Sequence, residues 1–163
     1  MRRKGITNYE LKWTAKQYGL PMNLEDILMS NELADVTLKK NKNIILNLEN
    51  EDNKGTHWIA LCIRGKKCLY IDSYGAVCDI EVIKFCLKNG LRLGFNQYIV
   101  QDLASENCGL YALAGLLYIH RYCKNGLDLY KCGNEFINMF IPHTKGNDRI
   151  LLQFLKDELL GGK

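Results

Sequence analysis

The chain has 163 residues, 47% of them hydrophobic and 25% charged, and a formal net charge of +4 at pH 7. This length and balance are typical of one soluble globular domain, so we expect a single domain over residues 1–163. No apolar stretch is long enough to span a membrane, and no apolar segment follows the basic residues 2–4. We therefore expect neither a membrane segment nor a secretory signal.

Hydrophobic periodicity and cap residues predict an alternation of helices and strands. Thr7 or Asn8 is expected to cap the first helix, and Asn23 a second, short helix. In chain order, the predicted elements are helices at 8–18 and 24–28, a strand at 42–48, a polar loop at 50–55, strands at 56–63 and 68–72, a helix at 80–87, a strand at 96–100, and helices at 108–122, 133–140 and 148–160. Helices, then strands, then helices around one sheet indicate the α+β class.

Seven cysteines leave at least one thiol unpaired unless the chain is crosslinked to another chain. No two of them have the two-residue spacing of a zinc or redox motif, and the three histidines do not cluster with them. We expect six to be reduced thiols in a reducing compartment, with metal binding as the alternative. These six are Cys62, Cys68, Cys78, Cys86, Cys123 and Cys132.

Four polar residues stand in apolar surroundings, in the order His57, Asp72, Gln101 and Cys108. An imidazole can act as a base, a carboxylate can orient it, a side-chain amide can donate to an oxyanion, and a sulfur can attack a carbonyl. These residue types form a complete set for thiol-based acyl transfer.

The spacing between the two strands tests whether the base and the acid can meet. If residues 65–66 form a two-residue turn, for which Gly65 favours type II′, Asp72 falls opposite Ile59. Ile59 lies two residues from His57, so His57 and Asp72 share a face as diagonal neighbours, with Cα atoms about 7–8 Å apart. A three-residue loop would send the two side chains to opposite faces.

Cys108 begins a helix whose residues 110–119 include no charged side chain. Such a helix belongs at the centre of a domain, where it holds the sulfur rigidly. The unpaired amides and the dipole of its first turn favour the thiolate, which is the attacking form. We expect Asn107 to cap this helix and Gly109 to leave space beside the sulfur for a substrate carbonyl.

Three motifs in this order resemble the adenain-like proteases, the family of the adenovirus maturation protease. They are Gly-Thr-His-Trp at 55–58, Tyr-Ile-Asp-Ser-Tyr-Gly at 70–75 and Gln-Asp-Leu-Ala-Ser-Glu-Asn-Cys-Gly at 101–109. The likeness is greatest to the virophage and Polinton/Maverick type, and the chain is more distantly similar to the Ulp-type proteases that remove SUMO. It covers residues 43–122 well and extends weakly to residues 7–11 and 144–151.

The resemblance implies a cysteine endopeptidase with His57 as base, Asp72 as orienting acid, Gln101 as oxyanion donor and Cys108 as nucleophile. It implies the papain-like α+β fold in permuted order, His-Asp-Gln-Cys, with a central mixed sheet packed on the buried helix that starts at the nucleophile. Adenain carries Glu where this chain has Asp72, whereas the SUMO proteases carry Asp.

The resemblance also implies viral capsid precursor proteins as substrates, cut after Gly-Gly sites during virion maturation. The sequence requires no cofactor or metal, and the resemblance leaves a peptide or DNA activator open. Basic clusters at 2–4, 39–42 and 64–67 leave DNA open as a partner, with solvated loops as the simpler explanation. We expect a monomer in the host cytoplasm or viral factory, packaged in the virion.

Each site residue has a simpler structural interpretation. Cys108 could be a buried core thiol, His57 a packing histidine beside Trp58, and Asp72 the cap of a turn. Gln101 has a competing polar neighbour in Asp102. Two rival functions follow: a protease for ubiquitin-like modifiers, and a catalytically inactive module that binds capsid or DNA.

Trp58 itself could cover the His57 ring or belong to the core. His120 is expected to be structural or on the surface, and nothing in the sequence points to a role for His143.

The tail Leu-Leu-Gly-Gly-Lys at 159–163 fits the aliphatic-x-Gly-Gly pattern that adenain-like proteases prefer. One hypothesis is that the chain cuts itself after Gly162, or that the tail occupies its own site. The alternative is a flexible end.

Overall fold

The computed structural model describes residues 5–38, 40–48 and 57–161. Four features from the sequence lie wholly or partly outside these residues. They are the basic residues 2–4, Lys39, the loop predicted at 50–55 with the start of the following strand at Thr56, and residues 162–163 of the tail.

Ten helices and strands build the described part of the chain. They are α1 Asn8–Gln17, β1 Ile27–Met29, β2 Lys42–Asn47, β3 Trp58–Arg64, β4 Lys67–Ile71, α2 Ile80–Lys88, β5 Arg92–Phe95, α3 Cys108–Tyr122, α4 Leu129–Ile137 and α5 Asn147–Gly161. Short 3-10 turns add Leu24–Asp26, Ser30–Asp35 and Thr144–Gly146. The strands form one mixed sheet in the order β1-β2-β3-β4-β5, parallel at both edges and antiparallel in the middle.

The sheet separates two hydrophobic clusters because successive side chains of each strand point to opposite faces. On one face, Ile45, Ala60 and Ile71 pack against α3, with α1, α4 and α5 beyond it. On the other face, Ile44 and Leu61 pack against α2. Since α3 is covered by the sheet and by helices, it is apolar on nearly every face, as expected for a central helix. The predicted fold class, with a mixed sheet on a buried helix that starts at Cys108, is confirmed.

Several predicted elements are confirmed at or near their expected bounds, and α3 matches at both ends. Thr7 rather than Asn8 caps α1: the Thr7 hydroxyl accepts from the Glu10 N–H, and the Glu10 carboxylate accepts from the Thr7 N–H. The helix predicted at 24–28 is wrong beyond its first turn, because Ile27–Met29 leave it to pair with β2.

The strand predicted at 96–100 is also wrong, and the edge strand β5 lies just before it, at Arg92–Phe95. The Asn96 side chain replaces the backbone pairing that would continue the sheet. Its Oδ1 accepts from the Asp72 N–H at 2.8 Å, and its Nδ2 donates to the Asp72 carbonyl at 2.6 Å. Helix α4 begins four residues before its predicted start, because Asp128 caps it at the Lys131 N–H.

Two of the six cysteines expected to be reduced are joined. Cys123 and Cys132 form a disulfide, with their Cα atoms 5.8 Å apart. Cys123 follows α3 directly and Cys132 lies in α4, so the packing of these two helices brings the sulfurs together. The other five cysteines are buried and form no disulfide; they are Cys62, Cys68, Cys78, Cys86 and Cys108.

Within the described residues, no three His, Cys, Asp or Glu side chains are placed to hold a metal ion. Of the helices in this part of the chain, none is both long enough and apolar enough to cross a membrane.

Gly133 in α4 gives a test of how closely that helix meets the sheet. A Cβ at this position would stand 2.6 Å from Leu69 Cδ2 on β4. We expect Gly133→Ala to lower the free energy of unfolding by about 1–2 kcal/mol, since overpacking outweighs the gain in helix propensity. Chemical denaturation measures the change. Gly161→Ala, where a Cβ meets nothing within 4 Å, is the control; equal gains in both variants would contradict this packing.

Candidate active site

The β3–β4 hairpin has the register that the sequence predicts. Arg64 pairs with Lys67 and Ala60 with Ile71. Gly65 has a φ of +57°, as the first central residue of a type II′ turn requires. Lys66, the second central residue, does not have a positive φ, because every positive φ in the described chain belongs to a glycine. The even register brings His57 and Asp72 to one face, where His57 Nε2 and Asp72 Oδ1 are 2.7 Å apart. The predicted contact between His57 and Asp72 is confirmed.

Asp72 is almost completely buried and its carboxylate accepts three hydrogen bonds. Besides His57 Nε2, Oδ1 accepts from the Tyr74 N–H at 2.9 Å, and Oδ2 accepts from the Ala76 N–H at 3.3 Å. Asp72 therefore both shapes the turn that follows β4 and holds the imidazole. The turn needs Gly75, whose φ is +59° and whose Cβ would stand 2.7 Å from the Tyr98 carbonyl carbon.

Asn96 is a positioning residue that sequence reasoning missed. It is buried, and its amide binds both backbone polar groups of Asp72, as described above. Asn96 therefore holds the backbone of Asp72, while N–H groups of the following turn hold its carboxylate. The sequence carried no signal for this role, because Asn96 stood at the start of a stretch that read as a strand.

The pKa of His57 results from opposing effects. Burial alone lowers it, but hydrogen bonds with Asp72 and Cys108, together with their negative charges, raise the pKa to about 9. Nε2 is occupied by Asp72, so the buried Nδ1 is the nitrogen left to exchange a proton with the Cys108 sulfur. The Tyr74 ring packs against the imidazole, with centroids 4.7 Å apart. The histidine is therefore held as an imidazolium between a carboxylate and a thiol.

Cys108 is the first residue of α3 and only 7% exposed. The expectation that the Asn107 side chain caps this helix is wrong: Asn107 occupies the cap position but makes no capping hydrogen bond. Its Nδ2 donates instead to Asp148 Oδ2 at 3.0 Å. The Asn107 side chain therefore does not occupy the N–H groups of the first turn, where positive potential favours a thiolate.

The expectation that Gly109 leaves room for a substrate carbonyl is also wrong. A Cβ there would stand 2.2 Å from Ile6 Cγ2 and 3.2 Å from Trp58 Cδ1, so protein atoms fill the space. Trp58 is a core residue whose Nε1 donates to the Ile6 carbonyl at 3.0 Å. Tyr74, rather than Trp58, covers the His57 ring.

Gln101 is completely buried and joins the two halves of the site. Its Oε1 accepts from the Ser73 hydroxyl at 2.5 Å, and its Nε2 donates to the Ser105 carbonyl at 2.9 Å. Ser73 follows Asp72 and Ser105 lies three residues before Cys108, so these two bonds fix the orientation of the amide. Its role as oxyanion donor stays a prediction.

Asp148, at the start of α5, organises the loop before the nucleophile. Its Oδ1 accepts from the Ser105 and Tyr111 hydroxyls at 2.9 Å each, and its Oδ2 accepts from Asn107 Nδ2. Sequence reasoning missed this residue as a positioning group. The only signal was the weak resemblance over 144–151, which carried no role. Asp102, the competing neighbour of Gln101, instead binds the Ala104 N–H and the Thr144 hydroxyl.

The remaining histidines and the tail lie away from these groups. His120 stands on the last turn of α3, and His143 precedes the turn Thr144–Gly146. Helix α5 runs through Gly161, and Glu158 near its end binds Arg121, also on the last turn of α3. Residues 159–161 are helical, so this part of the tail is not a flexible end; residues 162–163 lie outside the described residues, and the hypothesis of self-cleavage or of a tail in the site stays a prediction.

Solved structures share this architecture at low sequence identity. The ASFV pS273R protease aligns with a TM-score of 0.60 and 14% identity, over 96% of this chain and 67% of that one. The SUMO protease Ulp1, with its catalytic cysteine oxidised to a sulfinic acid, aligns with a TM-score of 0.51 and 14% identity, over 97% and 80%. AvrA with IP6 and CoA aligns with a TM-score of 0.51 and 12% identity, over 90% and 68%.

No family model matches the chain, and no curated protein matches it significantly. The structural matches establish the fold: a five-stranded mixed sheet with the helices of the Ulp- and papain-like cysteine proteases.

The His57–Asp72 pair yields a prediction for pH titration. In the native chain, we expect the imidazole of His57 to titrate near pH 9, so the pair stabilises the fold fully below pH 6.5 and this is lost as pH rises through about 9. Asp72→Asn should lower the pKa of His57 markedly, because burial then acts against a weaker partner. NMR titration of the ring protons, assigned with His57→Gln, measures this, with His143 as internal reference. An unchanged midpoint would contradict the assignment.

Asp148 yields a prediction for local stability. Asp148→Asn places an amide donor against Asn107 Nδ2 and weakens two further hydrogen bonds. We expect it to lower the free energy of unfolding by about 1–3 kcal/mol and to speed hydrogen exchange at residues 105–108. Asp157→Asn, on the same helix but bound only to exposed Gln153, is the matched control. Equal exchange at residues 105–108 in both variants would show that Asp148 does not hold the loop.

Proposed function

We propose that the chain is a cysteine endopeptidase, in which His57, Asp72 and Cys108 carry out the chemistry. The single observation behind this is one imidazole between a buried carboxylate, 2.7 Å away, and a thiol at the head of α3. The fold of viral and SUMO cysteine proteases supports it. A structural thiol or a packing histidine has no need of such an arrangement.

The proposed reaction follows from the placement of these groups. The Cys108 thiolate attacks the peptide carbonyl and forms a C–S bond, while the carbonyl electrons move to an oxyanion. The Cys108 N–H and the Gln101 amide are the proposed donors to it. His57 gives its proton to the leaving amine as the C–N bond breaks. A water then loses a proton to His57 and attacks the thioester, releasing the acid and restoring the sulfur.

The low exposure of the reacting groups favours a narrow substrate. Cys108 is 7% exposed, and the His57 side chain 21%. Glycines beside the cut bond let an extended backbone reach a sulfur that larger side chains would keep at a distance. We propose cleavage after Gly-Gly in viral structural precursors during virion maturation, a class suggested by the sequence resemblance and by a viral protease with the same fold.

A protease of ubiquitin-like modifiers is the second candidate, since the SUMO protease Ulp1 shares the fold. The acid at position 72 is aspartate, as in that group, and modifier tails also end in Gly-Gly. Both candidates use the same chemistry, so the substrate decides between them. Cleavage of a modifier tail but not of a capsid precursor would favour the second.

The remaining expectations rest on the family resemblance and stay proposals. They are activation by a peptide or by DNA, packaging in the virion, location in the host cytoplasm or viral factory, and a monomeric state. Cleavage after Gly162 also stays a proposal. Because Leu159 and Leu160 are helical, the end of α5 must unwind before this segment can enter a site as an extended chain.

Labelling of the nucleophile tests the proposed function. A peptide vinyl sulfone ending in Gly-Gly should modify Cys108, mapped by mass spectrometry, and Cys108→Ala should abolish both labelling and cleavage while the fold remains intact. We expect cleavage to fall by about 10⁴-fold or more. Cys78→Ala, which removes another buried thiol, is the control and should retain both.

Labelling that is no faster at Cys108 than at the other free cysteines would favour the catalytically inactive module. A Cys108→Ala chain that still cuts a Leu-x-Gly-Gly substrate would refute the assignment of the nucleophile.

A further inference from the structure

We propose that a second site, at the end of the molecule opposite Cys108, binds a small phosphate-bearing anion. The site is a cavity of about 420 Å³, which we call the basic cavity, and its lining includes Lys40, Lys42, Asn43, Arg64 and His120. Pockets of this size typically hold small organic ligands, so a short polyphosphate or a phosphorylated small molecule fits better than one inorganic ion.

The basic cavity is distant from the candidate active site. His120 lies twelve residues after Cys108 on α3, which corresponds to about 18 Å along the helix axis. Arg64 ends β3, the strand that His57 precedes, and Lys42 begins β2. The two sites therefore occupy opposite ends of the same helix and the same sheet.

Arg64 supplies a charge that is held in place and not neutralised. Its Nη1 donates to the Ile63 carbonyl at 2.8 Å and the Lys42 carbonyl at 3.4 Å, and its Nη2 donates to Asn43 Oδ1 at 2.9 Å. All three acceptors are neutral. Among the described residues, no carboxylate lies within ion-pair distance of this guanidinium. A fixed guanidinium with further N–H groups is the donor that proteins use for phosphate.

Asn43 supplies an amide donor beside that charge. The residue is 6% exposed and lines the basic cavity. Its Oδ1 is occupied by Arg64 and by the Cys62 thiol, so the acceptor end of the amide is fixed. Nδ2 makes no hydrogen bond to the described residues. The Nδ2 donor is therefore available to a ligand oxygen in the basic cavity.

The remaining charges around the basic cavity favour an anion. Asp26 is neutralised by Lys42 at 3.1 Å, and Arg121 behind His120 is neutralised by Glu158. Glu25 is the remaining carboxylate in the lining, against Lys40 and Arg64. The balance is positive before His120 is counted. Burial, with the charges of Arg64 and Arg121, lowers the pKa of His120, so the ring can gain a proton when an anion arrives.

Thermal unfolding and NMR test this site without any substrate. Tripolyphosphate at ten times its dissociation constant should raise the melting temperature by about 3–6 °C and raise the pKa of His120. Arg64→Gln should abolish both effects. Because Arg64→Gln also removes structural hydrogen bonds, Lys40→Glu on the exposed rim is a second variant, and it should weaken binding at least tenfold. Lys84→Gln on α2, whose lysine pairs with Glu81, is the matched control and should bind as the native chain does.

Three outcomes would overturn the proposal. The first is an equal melting shift in the native chain and Arg64→Gln; the second is a His120 titration that ignores tripolyphosphate. The third is that duplex DNA binds at these cations while tripolyphosphate does not. This would identify the surface as a nucleic-acid-binding site. None of these readouts depends on proteolysis, so the site stands or falls independently of the proposed function.

Discussion

A single hydrogen bond between His57 Nε2 and Asp72 Oδ1 ties the hairpin to the proposed chemistry. It exists because a two-residue turn at Gly65 gives β3 and β4 an even register, and a slip of one residue would move one partner to the other face of the sheet. Each partner of this hydrogen bond stabilises the other. The buried carboxylate gains a donor, and the partly buried imidazole gains an acceptor that raises its pKa.

Cys108 is brought to this pair by contacts between distant parts of the chain. Helix α3 is fixed against the sheet on one side and by α1, α4 and α5 on the others. Gln101 connects the segment after Asp72 to the loop before Cys108, and Asp148 holds that loop from the start of α5. The hairpin positions His57 and Asp72, the helix positions Cys108, and these polar links hold the two parts together.

Whether the sequence could predict a feature depends on how far apart in the chain the interacting residues lie. The bounds of α3, the Thr7 cap and the hairpin register depend on residues close together in the chain, and all three are confirmed. The failures depend on distant partners. Asn107 leaves its helix for Asp148, 41 residues later, and Asn96 ends a strand by binding Asp72, 24 residues earlier. Ile6 fills the space at Gly109 for the same reason, and no local pattern records such contacts.

The selectivity of thiol chemistry in this chain follows from where the backbone places each sulfur. Burial raises the pKa of Cys62 and of Cys78 to about 11, so both are protonated at neutral pH. A hydrogen bond with Cys68 lowers the pKa of Cys86, but that sulfur lies in the core beneath α2. Of the five cysteines outside the disulfide, Cys108 is the one that begins a helix and adjoins an imidazole. The five sulfurs are all buried, so what distinguishes Cys108 is this neighbouring base and the first turn of α3.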